Sequence, residues 1–221
     1  GWFVNSVTWL RLGDVYRAFT FSEESGSDFS WSLGTVLAER VVDMVTVLVL
    51  IGIGAVLFST TRESDGVGYI VGATFVMTIA LVALLAMMGK CGVRAAHFLP
   101  SRFDIAYLSF HKGTLKGLKQ RQLSIVFGMG LVGWLLEVGR LYFVIQALDF
   151  TIGTPLILLV TMGHAVLSAV PTPGGFGAVE PGMIALLMLG MAREDAVSVV
   201  LVDRSITYLS VIAVGGIVFM I

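Results

Sequence analysis

From Phe150 to Val179 the chain carries no fully charged residue, a stretch longer than the ~20 apolar residues that one membrane-spanning helix needs. Inside it stands Pro171-Thr-Pro-Gly-Gly-Phe-Gly-Ala-Val-Glu180. Pro171 and Pro173 break helical hydrogen bonding, and Gly174, Gly175 and Gly177 add backbone freedom directly after them. Non-helical backbone at membrane depth is tolerated only where protein buries it or where it lines a wet cavity. Broken helices of this kind form binding sites in transporters. The alternative is a surface loop between two short helices; the break is expected inside the membrane.

Composition supports the membrane setting. Hydrophobic residues make up 57% of the chain and charged ones only 13%, about half the charged share of a soluble domain. The single cysteine, Cys91, excludes an internal disulfide and a cysteine metal cluster. No G-x-S-x-G, P-loop or H-E-x-x-H pattern occurs, so the reading leans away from an enzyme and assigns no catalytic, metal or cofactor residue. His164, without an acid or cysteine at ligand spacing, reads as a packing residue. The chain opens on Gly1-Trp-Phe-Val and stops in an apolar run at Ile221, so both ends are expected to be truncated.

Uncharged runs predict a helix from near Leu33 to Thr61, a span over Gly66–Gly89 and a third over Gln122–Leu148. Two short arms, Phe150–Val170 and Ala178–Ala192, flank the break, and Ala196–Ile221 is a last span. Ser22–Asp28 reads as a polar loop, and Gly68 with Gly72 as a G-x-x-x-G helix contact. Between Lys90 and Arg121 lie Lys90, Arg94, Arg102, Lys112, Lys116, Lys119 and Arg121, half of the 14 lysines and arginines, against the lone acid Asp104. The positive-inside rule places this 90–121 loop in the cytoplasm. Lys112, Lys116 and Lys119 share one helical face and Leu108, Leu115 and Leu118 another, which suits a helix lying on an anionic leaflet; a solvated loop is the alternative. Nothing in it supports nucleic-acid binding.

The chain also carries a trace of internal repetition. Val36-Leu-Ala-Glu-Arg40 lies over Val200-Leu-Val-Asp-Arg204, and at the same offset Gly13 meets Gly177 and Gly52-Ile53 meets Gly216-Ile217. If the arms around Pro171 form a re-entrant hairpin, the last span runs opposite to its partner and the units are inverted repeats. If they cross the membrane once, the repeats are parallel. The expected division is a first repeat over 1–61, two spans and the basic loop over 62–149, and a second repeat over 150–221.

Charges inside apolar spans are costly and mark candidate sites. Arg40 with Asp43, and Glu137 with Arg140, are three residues apart and can neutralise each other on one helical face. A purely structural role for these pairs stands beside the functional one, in which arginines receive an anionic group through their planar fork of donors. Arg11 and Arg17, near Gly13, add to that surface. Glu180 has three open readings: capping backbone amides, pairing with an arginine, or binding a proton or substrate amine.

Two motifs together resemble the membrane region of lysylphosphatidylglycerol synthases and their flippase-like relatives. One is Pro171-x-Pro173-Gly174-Gly175-x-Gly177-x-x-Glu180; the other is Asn5…Arg11-x-Gly13-Asp14-x-x-Arg17 followed by Glu39-Arg40-x-x-Asp43. The resemblance covers most of the chain, although Trp9 stands where a proline is expected and Asp14 where glutamate is usual. It implies a polytopic protein that handles phospholipids or lipid-linked intermediates, moving them between leaflets in some members. The full-length synthases make aminoacyl lipid in a separate soluble domain that has no match here, so that activity is not carried over.

The resulting expectation is an all-α integral membrane protein, a polytopic helix bundle with two repeats containing broken or re-entrant helices, in a prokaryotic cytoplasmic membrane. It would bind and translocate an anionic phospholipid or lipid-linked intermediate through Arg11, Arg17, Arg40, Arg140, Pro171, Pro173, Gly174, Gly175, Gly177, Glu180 and Arg204. A structural or assembly subunit of a larger membrane complex is the competing class. The expected partners are membrane lipids, with further copies of this chain or complex subunits as protein partners. Single cysteines placed in the 104–121 segment should react with an impermeant reagent only from the cytoplasm, and those at Ser64 or Arg193 only from outside. Labelling at Arg193 from the cytoplasm would remove the re-entrant hairpin and the inverted repeat.

Overall fold

The computed structural model describes residues 1–9, 12–61, 76, 79, 83, 101–119, 123–170 and 172–220, and every regular element among them is helical. Helix α1 (Trp2–Val7) leads into α2 (Leu12–Ser25) and α3 (Phe29–Thr61), the longest helix at 33 residues. Helix α2 extends through part of the expected 22–28 loop. The Ser22 and Ser25 hydroxyls donate to the carbonyls of Phe19 (2.7 Å) and Phe21 (2.6 Å) instead of competing with the helix. Gly26, at φ 63°, then ends it in the left-handed conformation that glycine adopts without a Cβ clash. Of the predicted span Gly66–Gly89 only Val76, Ile79 and Ala83 are described, each helical; Gly68, Gly72 and Cys91 lie outside the described residues.

Helix α4 (Ser101–Lys119) falls in the basic segment, and α5 (Leu123–Ala147) follows it. The two arms are α6 (Thr154–Leu167) and α7 (Val179–Leu187). Helix α8 (Arg193–Arg204) continues through a single π-turn, Ser205–Leu209, into α9 (Ser210–Met220). Among the described residues, three segments are long and apolar enough to cross a membrane: Phe29–Thr60, Ser124–Ala147 and Arg193–Met220, with mean hydropathy 2.6, 1.4 and 1.7. The fold is that of an all-helical, membrane-embedded protein.

The arms differ from these spans. At 1.5 Å per residue, α6 with 14 residues and α7 with 9 fall short of the ~30 Å hydrocarbon thickness. They run antiparallel, with Gly182 against Leu167, Gly163 against Leu186 and Gly190 against Leu156, so the proline-glycine break forms the tip of a helical hairpin. That hairpin is the centre of the core. Leu156, Ile157, Leu159, Val160, Met183 and Leu187 are buried, surrounded by Ala55 and Phe58 of α3, Leu141 and Ile145 of α5, and Val199 and Val200 of α8.

Helix α3 runs antiparallel to α6, since Gly54 meets Leu158 while Val47 and Ile51 cluster with Met162. Helices α7 and α8, joined by a short turn and closed by a Glu180–Arg204 ion pair, are antiparallel as well. It follows that α3 and the α8–α9 helix run in opposite directions.

Association in lipid gains little from excluding water, so close approach through small residues matters more. Helices α3 and α4 meet this way. A Cβ on Gly34 would overlap the Phe110 carbonyl, one on Gly113 the Trp31 carbonyl, and one on Gly117 would lie 2.8 Å from Ala38 Cβ. Gly113-x-x-x-Gly117 thus meets Gly34-x-x-x-Ala38, while Lys112 and Lys116 remain exposed and Lys116 Nζ lies 5.6 Å from the Trp31 ring centre. Of the two readings open for the basic loop, the segment Ser101–Lys119 is helical, and its glycine face is held against α3. Gly34→Ala should lower unfolding stability in detergent by ~1–3 kcal/mol through overpacking. Gly52→Ala, with open space around it, should leave stability unchanged or raise it by up to ~1 kcal/mol. Equal thermal shifts for the two variants would show that the α3–α4 contact does not hold the fold.

Candidate functional site

The two sequence motifs fold into two closures of similar design. In the first, the Asn5 side-chain carbonyl accepts a hydrogen bond from the Gly13 N–H at 2.8 Å, tying α1 to the start of α2. A side chain at Gly13 would collide with that same carboxamide. Asp14 then accepts from Arg40 Nη2 at 2.7 Å, and Asp43 lies 3.5 Å from Arg40 Nη1. Arg40 therefore pairs within its own helix, as its spacing predicts, and also across to α2. Arg11 lies outside the described residues.

In the second closure, Gly174, Gly175 and Gly177 hold φ values of 56°, 73° and 85°, where an L side chain is strained. Glu180, in the first turn of α7, does two of the three things open to it. Its Oε2 accepts from the Gly177 N–H at 2.7 Å, and its Oε1 accepts from Arg204 Nε at 2.8 Å. Arg204 Nη2 also donates to the Gly174 carbonyl at 2.9 Å, so one guanidinium pins both ends of the break. Pro171 lies outside the described residues.

Tyr208, set by the π-turn, completes this closure. Its ring occupies the place a Gly174 side chain would need, its hydroxyl donates to the Ser6 carbonyl at 3.2 Å, and the Arg204 guanidinium lies 5.1 Å from its ring centre. Single-turn π segments recur at functional sites. Nothing in the sequence assigns Tyr208 a role beyond its place four residues after Arg204, which is same-face spacing on a helix.

Arg140 joins a third pair of elements. It donates to Glu137 Oε2 from Nη2 (2.8 Å) and Nε (3.1 Å), and to Asp203 Oδ1 from Nη1, linking α5 to α8. Asp203 and Arg204 are neighbours in sequence, yet each pairs elsewhere.

Arg40, Arg140 and Arg204 line one cavity of ≈ 610 Å³, together with Asn5, Asp43, Glu137, His164, Thr172, Gly174 and Gly175. Two polar atoms at this cavity, Arg40 Nε and Thr172 Oγ1, are buried without a hydrogen-bond partner among the described residues. Pro173, Gly177 and Glu180 do not line it; they shape the turn and hold Arg204. Arg17 lies elsewhere, with its fork on Glu39 (3.0 and 2.5 Å) beside a second cavity of ≈ 530 Å³ that Tyr16, Phe21 and Trp31 also line. Glu39 as the partner of Arg17 is a tertiary contact between α2 and α3 that helix periodicity does not reveal.

Residues 1–215 match the family described as the lysylphosphatidylglycerol synthase TM region. The chain belongs to this family. It is similar to a UPF0104 membrane protein of Methanocaldococcus jannaschii, 28% identical over 99% of this chain and 94% of the relative. UPF0104 membrane proteins of Methanothermobacter thermautotrophicus and Pyrococcus horikoshii are 26% and 25% identical, each over 98% of this chain and over 70% and 73% of the relatives. No solved structure matches it.

In this TM region, breaking the Arg204–Glu180 pair on one side should be worse than removing both partners. Arg204→Met alone leaves a partly buried carboxylate and should cost ~3–5 kcal/mol, while Arg204→Met with Glu180→Gln should recover part of that loss. Denaturant unfolding in detergent checks this, and an additive double variant would show that the two charges do not depend on each other.

Proposed function

We propose that the protein binds the headgroup of an anionic phospholipid or lipid-linked intermediate in its central cavity and moves it between leaflets. The observation that carries this reading is the convergence of Arg40, Arg140 and Arg204, from three different helices, on one cavity beside a glycine-rich break. A headgroup crossing hydrocarbon needs polar partners throughout, because an unpaired ion there costs several kcal/mol. Guanidinium groups suit phosphate oxygens in geometry and stay charged. The buried Arg40 Nε and Thr172 hydroxyl leave hydrogen-bonding capacity to spare. The acyl chains would stay in the surrounding bilayer while the headgroup exchanges with the carboxylates that hold the arginines.

The arrangement of the two closures supports an alternating mechanism. Each joins a glycine-bearing break to an arginine of a long helix, Arg40 to Asp14 and Arg204 to Glu180, and those long helices run in opposite directions. We read these as inverted repeats with a re-entrant α6–α7 hairpin, in a prokaryotic cytoplasmic membrane with the 90–121 segment facing the cytoplasm. Releasing one closure at a time would expose the cavity to one leaflet at a time.

Purified protein in liposomes should speed exchange of labelled phosphatidylglycerol between leaflets. Glu180→Gln and Arg40→Ala, each still folded, should slow exchange by about tenfold or more, which corresponds to ~1.4 kcal/mol at the barrier. Equal rates in protein-containing and empty liposomes, across several anionic lipids, would instead favour an assembly subunit of a membrane complex.

A further inference from the structure

The cluster around Arg140 is not electrically balanced. One guanidinium faces two carboxylates: Glu137 on its own helix and Asp203 on α8. The two acids differ in surroundings. The Glu137 side chain is 37% exposed and lines the cavity, whereas Asp203 is wholly buried, and its Oδ2 has no hydrogen-bond partner among the described residues. Among the described residues, His164 from α6, Arg204 from α8 and Glu180 from α7 also stand near the cluster, and Arg40 and Asp43 of α3 with Tyr208 of the π-turn line the same cavity. Arg204 is already engaged by Glu180 and the Gly174 carbonyl.

We propose that an anionic headgroup binding at Arg140 takes up one proton, carried by Asp203. This inference rests on the lipid-binding reading above. A phosphodiester oxygen that reaches Arg140 from the cavity competes with Asp203 Oδ1 for Nη1. The displaced carboxylate would then be charged, desolvated and unpaired, which costs several kcal/mol. A proton from water removes that penalty, while Glu137 lines the cavity, where water reaches it. The charge count agrees. The empty cluster carries one excess negative charge, a monoanionic phosphodiester would raise this to two, and one proton restores the original value. When the headgroup leaves, the Arg140–Asp203 pair re-forms and the proton is released on the same side. Each headgroup thus travels with a proton, and a pH difference across the membrane sets the preferred direction.

The test is calorimetric titration of the purified full chain in detergent with dioctanoyl phosphatidylglycerol, at one pH in buffers of different ionisation enthalpy. Linkage predicts about one proton taken up per lipid and a Kd that weakens about tenfold per pH unit as pH rises. Asp203→Asn should bind the lipid with no proton uptake and a Kd flat in pH; Glu137→Gln should retain the uptake. If Asp203→Asn fails to fold, as judged by size-exclusion chromatography, the proton count of the unaltered protein and of Glu137→Gln decides. Lipid binding without proton uptake would overturn the coupling and leave the lipid reading intact. Uptake that persists in Asp203→Asn would overturn the assignment to Asp203. No lipid binding by the folded protein would overturn the lipid reading, and the coupling with it.

Discussion

An arginine in an apolar bundle cannot stay unpaired, and that requirement fixes the positions of the helices more firmly than apolar packing does. Apolar side chains have little to gain between one protein surface and lipid tails, whereas a lone buried charge is penalised by several kcal/mol. Each central arginine therefore acts as a tie between elements. Arg40 binds α2 to α3, Arg140 binds α5 to α8, and Arg204 binds α8 to the break and to α7. The three arginines converge on one cavity, which Trp2, Trp134 and Tyr208 also line.

The break depends on the same logic at the level of backbone. Three residues with positive φ expose amides and carbonyls that a helix would have satisfied internally. Glu180 accepts one of those amides and Arg204 takes one of those carbonyls, so one ion pair satisfies the backbone and compensates the charges together. Backbone satisfaction and charge compensation thus draw on the same side chains. Anything that loosened Arg204 would loosen the turn as well.

Much of this was legible in the sequence where local rules apply. The i,i+3 pairs Arg40–Asp43 and Glu137–Arg140 follow from helix periodicity, and the break follows from what proline and glycine do to a helix. Two of the readings open for Glu180, amide capping and arginine pairing, are both realised. Contacts between distant segments were not legible: Asp14 on Arg40, Glu39 on Arg17 and Asp203 on Arg140 depend on how the helices are placed. The glycine interface between α3 and α4 was hidden for another reason, because small residues are too frequent in this chain to single out those that touch. The α2 helix outran its expected end because serines that bond back to their own turn continue a helix as readily as they leave one.

The π-turn at Ser205–Leu209 sets how the final helix is dialled relative to everything before it. A π-turn accommodates one residue more than the α-helical repeat, and one residue is about 100° of rotation. Upstream, Asp203 and Arg204 point to the cavity cluster and the break; downstream, Gly215 and Gly216 take the Phe3 ring of α1. One continuous helix makes both sets of contacts, and the extra residue shifts its phase between them. Were the turn to relax to regular α-helix, α9 would rotate relative to α8 and its glycines would shift against Phe3 of α1, whose Trp2 and Asn5 stand at the cavity wall. The first helix of the described structure is thus held at both ends of the chain, by Asn5 on Gly13 and by Phe3 and Ser6 on the final helix and its π-turn.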